Sequence, residues 1–189
     1  MTSLLPPPQP CPSDEILGEL HERAMGIRLV LTDVDGVLTS SHLYYGHEGI
    51  HLRGFSTRDG AGINWLTQCG IPVGFISALD APSTRQRARD LNVAEVHLGS
   101  GAKLPILDDI CARRGLGRHQ VAYLGDDLHD LPVLNRVGLS ICPMDAAREV
   151  RAACHWTVPV AGGDGVFRAA AELILRTQDR WPGILAEFA

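Results

Sequence analysis

Three features are scarce in this sequence: long apolar runs, clustered positive charge and paired cysteines. No apolar run approaches the roughly 20 residues needed to cross a bilayer. Segment 1–12 is rich in proline and lacks the apolar core of a signal peptide, so we expect a flexible arm there. Lysine and arginine number 17 against 22 aspartates and glutamates, which gives a net charge of −5. These features argue against a membrane protein and against non-specific nucleic-acid binding.

The five cysteines are scattered along the chain and form no Cys-x-x-Cys pair. Without paired ligand spacing, a zinc site is not expected. Odd, dispersed cysteines are typical of reduced, mostly buried thiols in the cytoplasm. They are Cys11, Cys69, Cys111, Cys142 and Cys154.

The remaining sequence alternates strand-like apolar runs with amphipathic helical stretches. This alternation predicts an α/β fold, in which a parallel sheet lies between two layers of helices. Segment 42–55 instead predicts a β-hairpin that projects between the first strand and the first crossover helix. We therefore expect one three-layer domain over 13–177, followed by a tail at 178–189 in which Trp181-Pro182-Gly183 interrupts any helix. The predicted strands are 27–32, 72–76, 95–98, 120–124, 138–141 and 155–158, and the predicted helices are 14–25, 58–69, 81–91, 102–114, 131–137, 146–152 and 165–177.

Two carboxylates follow the first predicted strand, in the run Thr-Asp-Val-Asp-Gly-Val-Leu-Thr at 32–39. Asp33 and Asp35 lie two residues apart, so in an extended chain they point the same way, and Gly36 lets the backbone turn sharply after them. Two converging acids suit a nucleophile, a proton donor and a hard metal ion. The alternative is a solvated acidic turn or a helix N-cap, but two uncompensated acids at a buried strand end would repel each other.

Ser77 and Lys103 follow the next predicted strands. The Ser77 hydroxyl can donate to a phosphate oxygen, although a serine here can also be a helix N-cap. Lys103 follows the glycine-containing turn 99–102 at a predicted helix start, where free backbone N–H groups favour anions. A lysine does not stabilise that end of a helix, which indicates an anion nearby, the alternative being a solvated surface lysine.

A second acidic run, Gly-Asp-Asp-Leu-His-Asp, occupies 125–130 after another apolar strand. Mg²⁺ prefers oxygen ligands and keeps several waters. We take Asp126 as a metal ligand and Asp127 as a water-mediated or supporting group. We interpret Asp130 as an acid that stabilises a helix N-terminus. His129 could contact a substrate, the alternative being a surface helix position.

The ordered set of paired Asp, Ser, Lys and paired Asp resembles the haloacid-dehalogenase-like phosphohydrolase superfamily over about 27–175. Within it, the chain is most similar to 3-deoxy-manno-octulosonate 8-phosphate phosphatases and to related nonulosonate 9-phosphate phosphatases. Four segments carry this closer resemblance: 33–39, 55–63, 121–128 and the turn Gly162-Gly163-Asp164-Gly165. The gaps between motifs leave no room for a separate cap domain.

The resemblance implies Mg²⁺-dependent hydrolysis of a sugar phosphate, as in lipopolysaccharide biosynthesis. Asp33 would be the nucleophile that forms an aspartyl-phosphate, and Asp35 the general acid and base. Mg²⁺ would be held by Asp33, the backbone carbonyl of Asp35 and Asp126, while Ser77 and Lys103 bind the phosphate. The resemblance also implies a homotetramer with central hairpins, in which a neighbouring subunit completes each site.

Arg58, in the segment Arg58-Asp59, also resembles a substrate-binding position of the family, the alternative being a capping pair that opens its helix.

Three positions depart from the family pattern. Ala78-Leu79 replaces a usual Gly-Arg, Asp164 occupies a place where the family often has arginine, and Ser40-Ser41 replaces an Asp-Gly pair. A sugar-acid carboxylate needs a cationic or hydrogen-bonding partner when buried. The hypothesis that follows is a substrate less acidic than the octulosonate. Two alternative functions are a non-catalytic oligomerisation module, as in cytidylyltransferase-fused relatives, and a phosphoprotein phosphatase.

Overall fold

The computed structural model describes residues 14–47 and 49–188, with the side chains of 14–17 and 49–51 left undescribed. The predicted arm at 1–12 lies outside these residues. Six parallel strands form one sheet in the order β5-β4-β1-β6-β7-β8, and β2 and β3 form a separate antiparallel hairpin. The strands are β1 Leu29–Thr32, β2 Tyr44–Gly46, β3 Gly49–Leu52, β4 Val73–Ser77, β5 Glu95–Leu98, β6 Val121–Leu124, β7 Leu139–Pro143 and β8 Trp156–Val158.

Helices cover both faces of the sheet, which confirms the predicted three-layer α/β class. Each predicted strand and crossover helix is present, with ends that shift by a few residues. The helices are α1 Asp14–Met25, α2 Thr57–Gln68, α3 Pro82–Asp90, α4 Lys103–Arg114, α5 Leu131–Leu134, α6 Arg148–Ala153, α7 Val166–Thr177 and α8 Trp181–Ala186.

Strand β1 lies at the centre of the sheet and contributes to two hydrophobic cores. All four of its residues are buried. Val30 packs in the core on one face, whereas Leu29 and Leu31 pack in the core on the other. Alternate residues of a strand face opposite sides, and a strand covered on both faces is therefore apolar throughout. The central strand of the sheet is thus packed on both of its faces.

The hairpin β2–β3 projects away from these cores. The side chains of Tyr44, Tyr45 and Leu52 are 59%, 72% and 68% exposed. The hairpin confirms the predicted strand pair, and it carries an apolar surface that the rest of the described chain leaves uncovered.

The expectation that Trp181-Pro182-Gly183 prevents a helix is wrong. Helix α8 begins at Trp181 and places Pro182 in its first turn, where a missing N–H breaks no helical hydrogen bond. Trp181 and Ile184 are buried against the main core. Part of the predicted tail at 178–189 therefore packs on the domain.

Within the described ranges, no helix is both long and apolar enough to cross a bilayer.

Candidate active site

The carboxyl ends of three neighbouring strands meet in a small cleft. Asp33 follows β1, Ser77 ends β4 and Asp126 follows β6, so parallel pairing brings side chains distant in sequence to one edge. The cleft has a volume of about 320 Å³. Its lining comprises Asp33, Asp35, Ser41, Leu43, Ser77, Ala78, Leu79, Lys103, Asp126, Asp127 and His129.

Lys103 forms the buried centre of the cleft. Its ammonium lies 2.9 Å from Asp33 Oδ2 and 2.7 Å from Asp130 Oδ1, with only 2% of the side chain exposed. Burial lowers the pKa of Lys103, but the two carboxylates outweigh burial and hold it above its usual range. Burial raises the pKa of Asp33 from 3.8 to about 6, and Lys103 offsets part of this effect. The fixed positive charge therefore favours the ionised form of Asp33.

Asp130 holds several parts of the cleft together, a role that the sequence did not reveal. It is fully buried and accepts hydrogen bonds from the Tyr123 hydroxyl at 2.6 Å and from Lys103. The backbone N–H groups of Asp126 and Asp127 donate to its other oxygen at 3.0 and 3.3 Å. Its predicted role at a helix start is present, since it bonds the N-cap backbone of a short 3-10 turn. The available signal was its place in the acidic run 125–130, four residues after Asp126.

Asp33, Asp126 and Asp130 form an acidic cluster that fits a hard divalent cation. One oxygen from each lies within 4.8 Å of the others. Burial, followed by the charge of Asp33, raises the pKa of Asp126 from 3.8 to about 8. Asp126 Oδ1 is buried without a hydrogen-bond partner among the described residues. A carboxylate oxygen without such a partner, beside two other acids, suits an oxygen-seeking ion such as Mg²⁺.

Asp127, predicted as a supporting group, is 62% exposed. Its side chain accepts the N–H of Leu128 at 2.8 Å and so caps the 3-10 turn. It lines the mouth of the cleft without joining the acidic cluster.

Asp35 lies beside Asp33 and is held from its outer side. Ser77 Oγ approaches Asp35 Oδ2 at 3.5 Å, and Arg53 Nε lies 3.3 Å from Asp35 Oδ1. The Arg53 side chain is completely buried, and its Nη1 donates to Thr84 Oγ1 at 2.9 Å. Arg53, at the base of the hairpin, thus fixes the position of Asp35. Arg53 itself belongs to none of the sequence motifs.

Arg58 is exposed in the first turn of α2 and does not line the cleft. Its neighbour Asp59 is buried and accepts the N–H of Arg168 at 2.8 Å, in the first turn of α7. Burial raises the pKa of Asp59 to about 6. Of the pair Arg58-Asp59, Asp59 therefore joins α2 to α7, whereas Arg58 is exposed to solvent.

Comparison with known proteins gives a consistent picture. A family model described as haloacid dehalogenase-like hydrolase matches residues 89–169. A 3-deoxy-D-manno-octulosonate 8-phosphate phosphatase from Yersinia pestis is 36% identical over 168 residues, which is 89% of this chain and 90% of the relative. The solved structure of a probable yrbI family phosphatase from Pseudomonas syringae is 38% identical with a TM-score of 0.89, covering 90% of this chain and 97% of that one.

A solved 3-deoxy-D-manno-octulosonate 8-phosphate phosphatase from Moraxella catarrhalis is 30% identical with a TM-score of 0.89, covering 91% of this chain and 99% of that one. Its crystal contains a magnesium ion, a phosphate ion and a KDO molecule.

Proposed function

Since the chain belongs to the haloacid dehalogenase-like hydrolases and, within them, to the 3-deoxy-D-manno-octulosonate 8-phosphate phosphatase family, we propose that it hydrolyses the phosphate ester of that sugar acid. It is a phosphoric monoester hydrolase that acts on a sugar phosphate and uses Mg²⁺. The observation that carries the proposed phosphoryl-transfer chemistry is the Asp33–Lys103–Asp130 chain at the floor of a cleft that also holds Asp35 and Asp126.

In the first half of the reaction, an Asp33 oxygen forms a bond to phosphorus and the bond to the sugar oxygen breaks. Asp35 gives its proton to the leaving oxygen. Lys103, held by Asp33 and Asp130, faces the phosphate as a fixed positive charge and needs no rearrangement as negative charge develops. Ser77 Oγ, near Asp35, is placed to donate to a phosphate oxygen.

In the second half, Asp35 accepts a proton from water as the water oxygen attacks phosphorus and the Asp33–phosphate bond breaks. Arg53 holds Asp35 in place through both halves. Asp33 and Asp126 would hold Mg²⁺, joined by the backbone carbonyl of Asp35 and supported by Asp130 and Asp127. When bound, the ion neutralises charge on the nucleophile and the phosphate.

The test is phosphate release from octulosonate 8-phosphate with and without Mg²⁺, by the wild type and by Asp33→Asn. We expect metal-dependent turnover from the wild type and a loss of at least about a thousandfold in Asp33→Asn. The matched control is Asp109→Asn, a carboxylate that is 60% exposed on α4 and should leave turnover unchanged. Full activity of Asp33→Asn would overturn the assignment of the nucleophile.

A less acidic sugar phosphate is a second candidate substrate, favoured by one observation. Lys103 is the only lysine or arginine among the described residues that line the cleft, and its ammonium already contacts two carboxylates. Ala78 and Leu79 contribute no charge. A panel of nonulosonate 9-phosphates and neutral sugar phosphates separates the candidates, because a preference for neutral sugars would contradict the octulosonate assignment.

We further propose a cytoplasmic homotetramer assembled through the hairpin near 42–55, in which a neighbouring subunit completes each cleft. The exposed apolar residues of the hairpin support this assembly. The free thiols of Cys69, Cys111, Cys142 and Cys154 support a reducing compartment.

The substrate panel also tests the two alternative functions. If a folded, Mg²⁺-binding protein released phosphate from no member of the panel, the result would favour the oligomerisation module or a phosphoprotein substrate.

A further inference from the structure

A second cavity lies at the opposite edge of the sheet. It is formed where the chain enters β1, β4 and β6, and its volume of about 710 Å³ exceeds the 320 Å³ of the catalytic cleft. The two cavities share no lining residue. The strands of the sheet lie between them, so a ligand in one cavity does not touch a ligand in the other.

Three arginines from separate parts of the chain line this second cavity: Arg28 before β1, Arg114 at the end of α4 and Arg180 before α8. No aspartate or glutamate belongs to the described lining. The whole chain has a net charge of −5, so the lining of this cavity is positively charged in a protein that is negatively charged as a whole.

The three arginines differ in how far they are already engaged. Arg114 pairs with Glu95 at 2.7 Å, but the same carboxylate is shared with Arg113 and His97. Arg180 donates to the backbone carbonyl of Cys69 through Nη1. Among the described residues, the Arg28 side chain makes no hydrogen bond or ion pair. The three guanidinium groups together therefore retain several N–H groups that donate to no acceptor among the described residues.

The ends of α1, α2, α4 and α7 also meet here, and helix C-termini attract cations. This effect explains Arg180, whose Nη1 donates to the carbonyl of Cys69, the C-cap of α2. It does not explain Arg28, because other groups satisfy the carbonyls near the ends of α1 and α7. Gln178 Nε2 donates to Ala24 O at 3.0 Å and to Ile27 O at 2.9 Å. The Arg180 backbone N–H donates to Leu175 O at 2.9 Å. Arg28 is thus not required as a cap.

We propose that this cavity binds a small linear polyphosphate group, either free or attached to a nucleoside. Guanidinium groups form paired hydrogen bonds with phosphate oxygens and stay charged at every physiological pH. Met25, which is 54% exposed, and the half-buried Leu116 supply an apolar wall beside them. Arginines next to an apolar wall match a ligand with a charged chain and a flat, less polar end.

The proposal is tested by calorimetric titration of the full chain with inorganic triphosphate and, separately, with ATP. EDTA is present throughout, so that neither probe reaches the catalytic cleft as a metal complex. The test variant is Arg28→Gln/Arg180→Gln, and the matched control is Arg89→Gln/Arg136→Gln, which removes two exposed arginines that do not line the cavity. We expect the test variant to bind at least tenfold more weakly than the wild type and the control variant to bind as the wild type does.

Phosphate release from the sugar phosphate should remain within twofold of the wild type in both variants, because neither changes the catalytic cleft. Asp33→Asn should bind triphosphate as tightly as the wild type. Tighter binding of ATP than of triphosphate would identify a nucleoside ligand, and equal binding would identify the phosphate chain alone. Equal loss of affinity in the test and control variants, or no binding at millimolar probe, would overturn the proposal.

Discussion

Among single residues, Gly36 sets the position of the Asp126 carboxylate. Its φ of +93° lies in the region that side chains rarely adopt, and a Cβ built on it would lie 1.9 Å from Asp126 Oδ2. The absence of a side chain therefore serves both the turn after Asp35 and the close approach of Asp126 to β1.

Gly36→Ala should lower the affinity for Mg²⁺ by at least tenfold, because the new methyl group displaces the Asp126 carboxylate. The measurement is the Mg²⁺ concentration that gives half-maximal phosphate release. Gly70→Ala is the matched control, since Gly70 has a φ of +77° but no atom within 4 Å of an added Cβ. Both variants should lose about 1–2 kcal/mol of stability from backbone strain. An unchanged Mg²⁺ requirement in Gly36→Ala would contradict the steric argument.

Asp130→Asn should destabilise the protein by about 3–5 kcal/mol, because it leaves the buried Lys103 ammonium with one carboxylate fewer. The new amide also presents N–H groups to the donors of Tyr123 and Asp126 that now point at Asp130. Urea unfolding of the metal-free protein measures the loss. Asp127→Asn, at a position 62% exposed, should change stability by less than about 0.5 kcal/mol; similar losses in both variants would show that burial of Asp130 is not the cause.

Secondary-structure elements were predictable where a single local pattern decides them. The strands of the sheet are apolar throughout because both faces are covered, so β1 and β6 could be identified from their composition alone. The same holds for Asp33 and Asp126, since position after such a strand fixes where the side chain lies.

Features that depend on tertiary contacts were not predictable. Helix α8 follows from the packing of Trp181 edge-on against Trp65, with ring centroids 5.3 Å apart, a contact between residues far apart in the sequence. Arg53 and Asp130 belong to the same class: their burial depends on Thr84 and Lys103, which other elements supply. Local patterns favour a loop or a surface charge at each of these positions.

Trp181→Ala should cost about 3 kcal/mol, in line with removal of a large buried side chain. Arg168 lies 4.0 Å from the Trp65 ring centroid and Arg176 lies 4.4 Å from that of Trp181, so the variant also removes a cation–π contact. The control is Leu185→Ala in the same helix. Leu185 is 54% exposed, so this change should cost less than about 0.5 kcal/mol. Equal unfolding midpoints for the two variants would mean that α8 contributes little to the fold.

For the whole molecule, the hairpin through which we propose that subunits assemble is joined to the cleft by Arg53, which follows β3 and contacts Asp35. Tyr45→Ser/Leu52→Ser should reduce the molar mass measured by light scattering and lower turnover, because the proposed subunit contacts complete the cleft. Leu185→Ser removes a different exposed apolar side chain and should leave the mass unchanged. A tetramer that persists in the hairpin variant would place the interface elsewhere on the surface.

The stability of the whole molecule should depend on pH through the acidic cluster, and Mg²⁺ should weaken this dependence. Burial raises the pKa of Asp126 from 3.8 to about 8 and that of Asp33 to about 6. The folded, metal-free protein therefore retains protons that the unfolded chain releases, and this contribution is complete below pH 4 and lost as the pH rises towards 8. Mg²⁺ competes with the same protons, so the rise in melting temperature caused by Mg²⁺ should grow between pH 6 and 8. Asp126→Asn should reduce this growth, and a Mg²⁺ effect that is the same at both pH values in the wild type would contradict the raised pKa of Asp126.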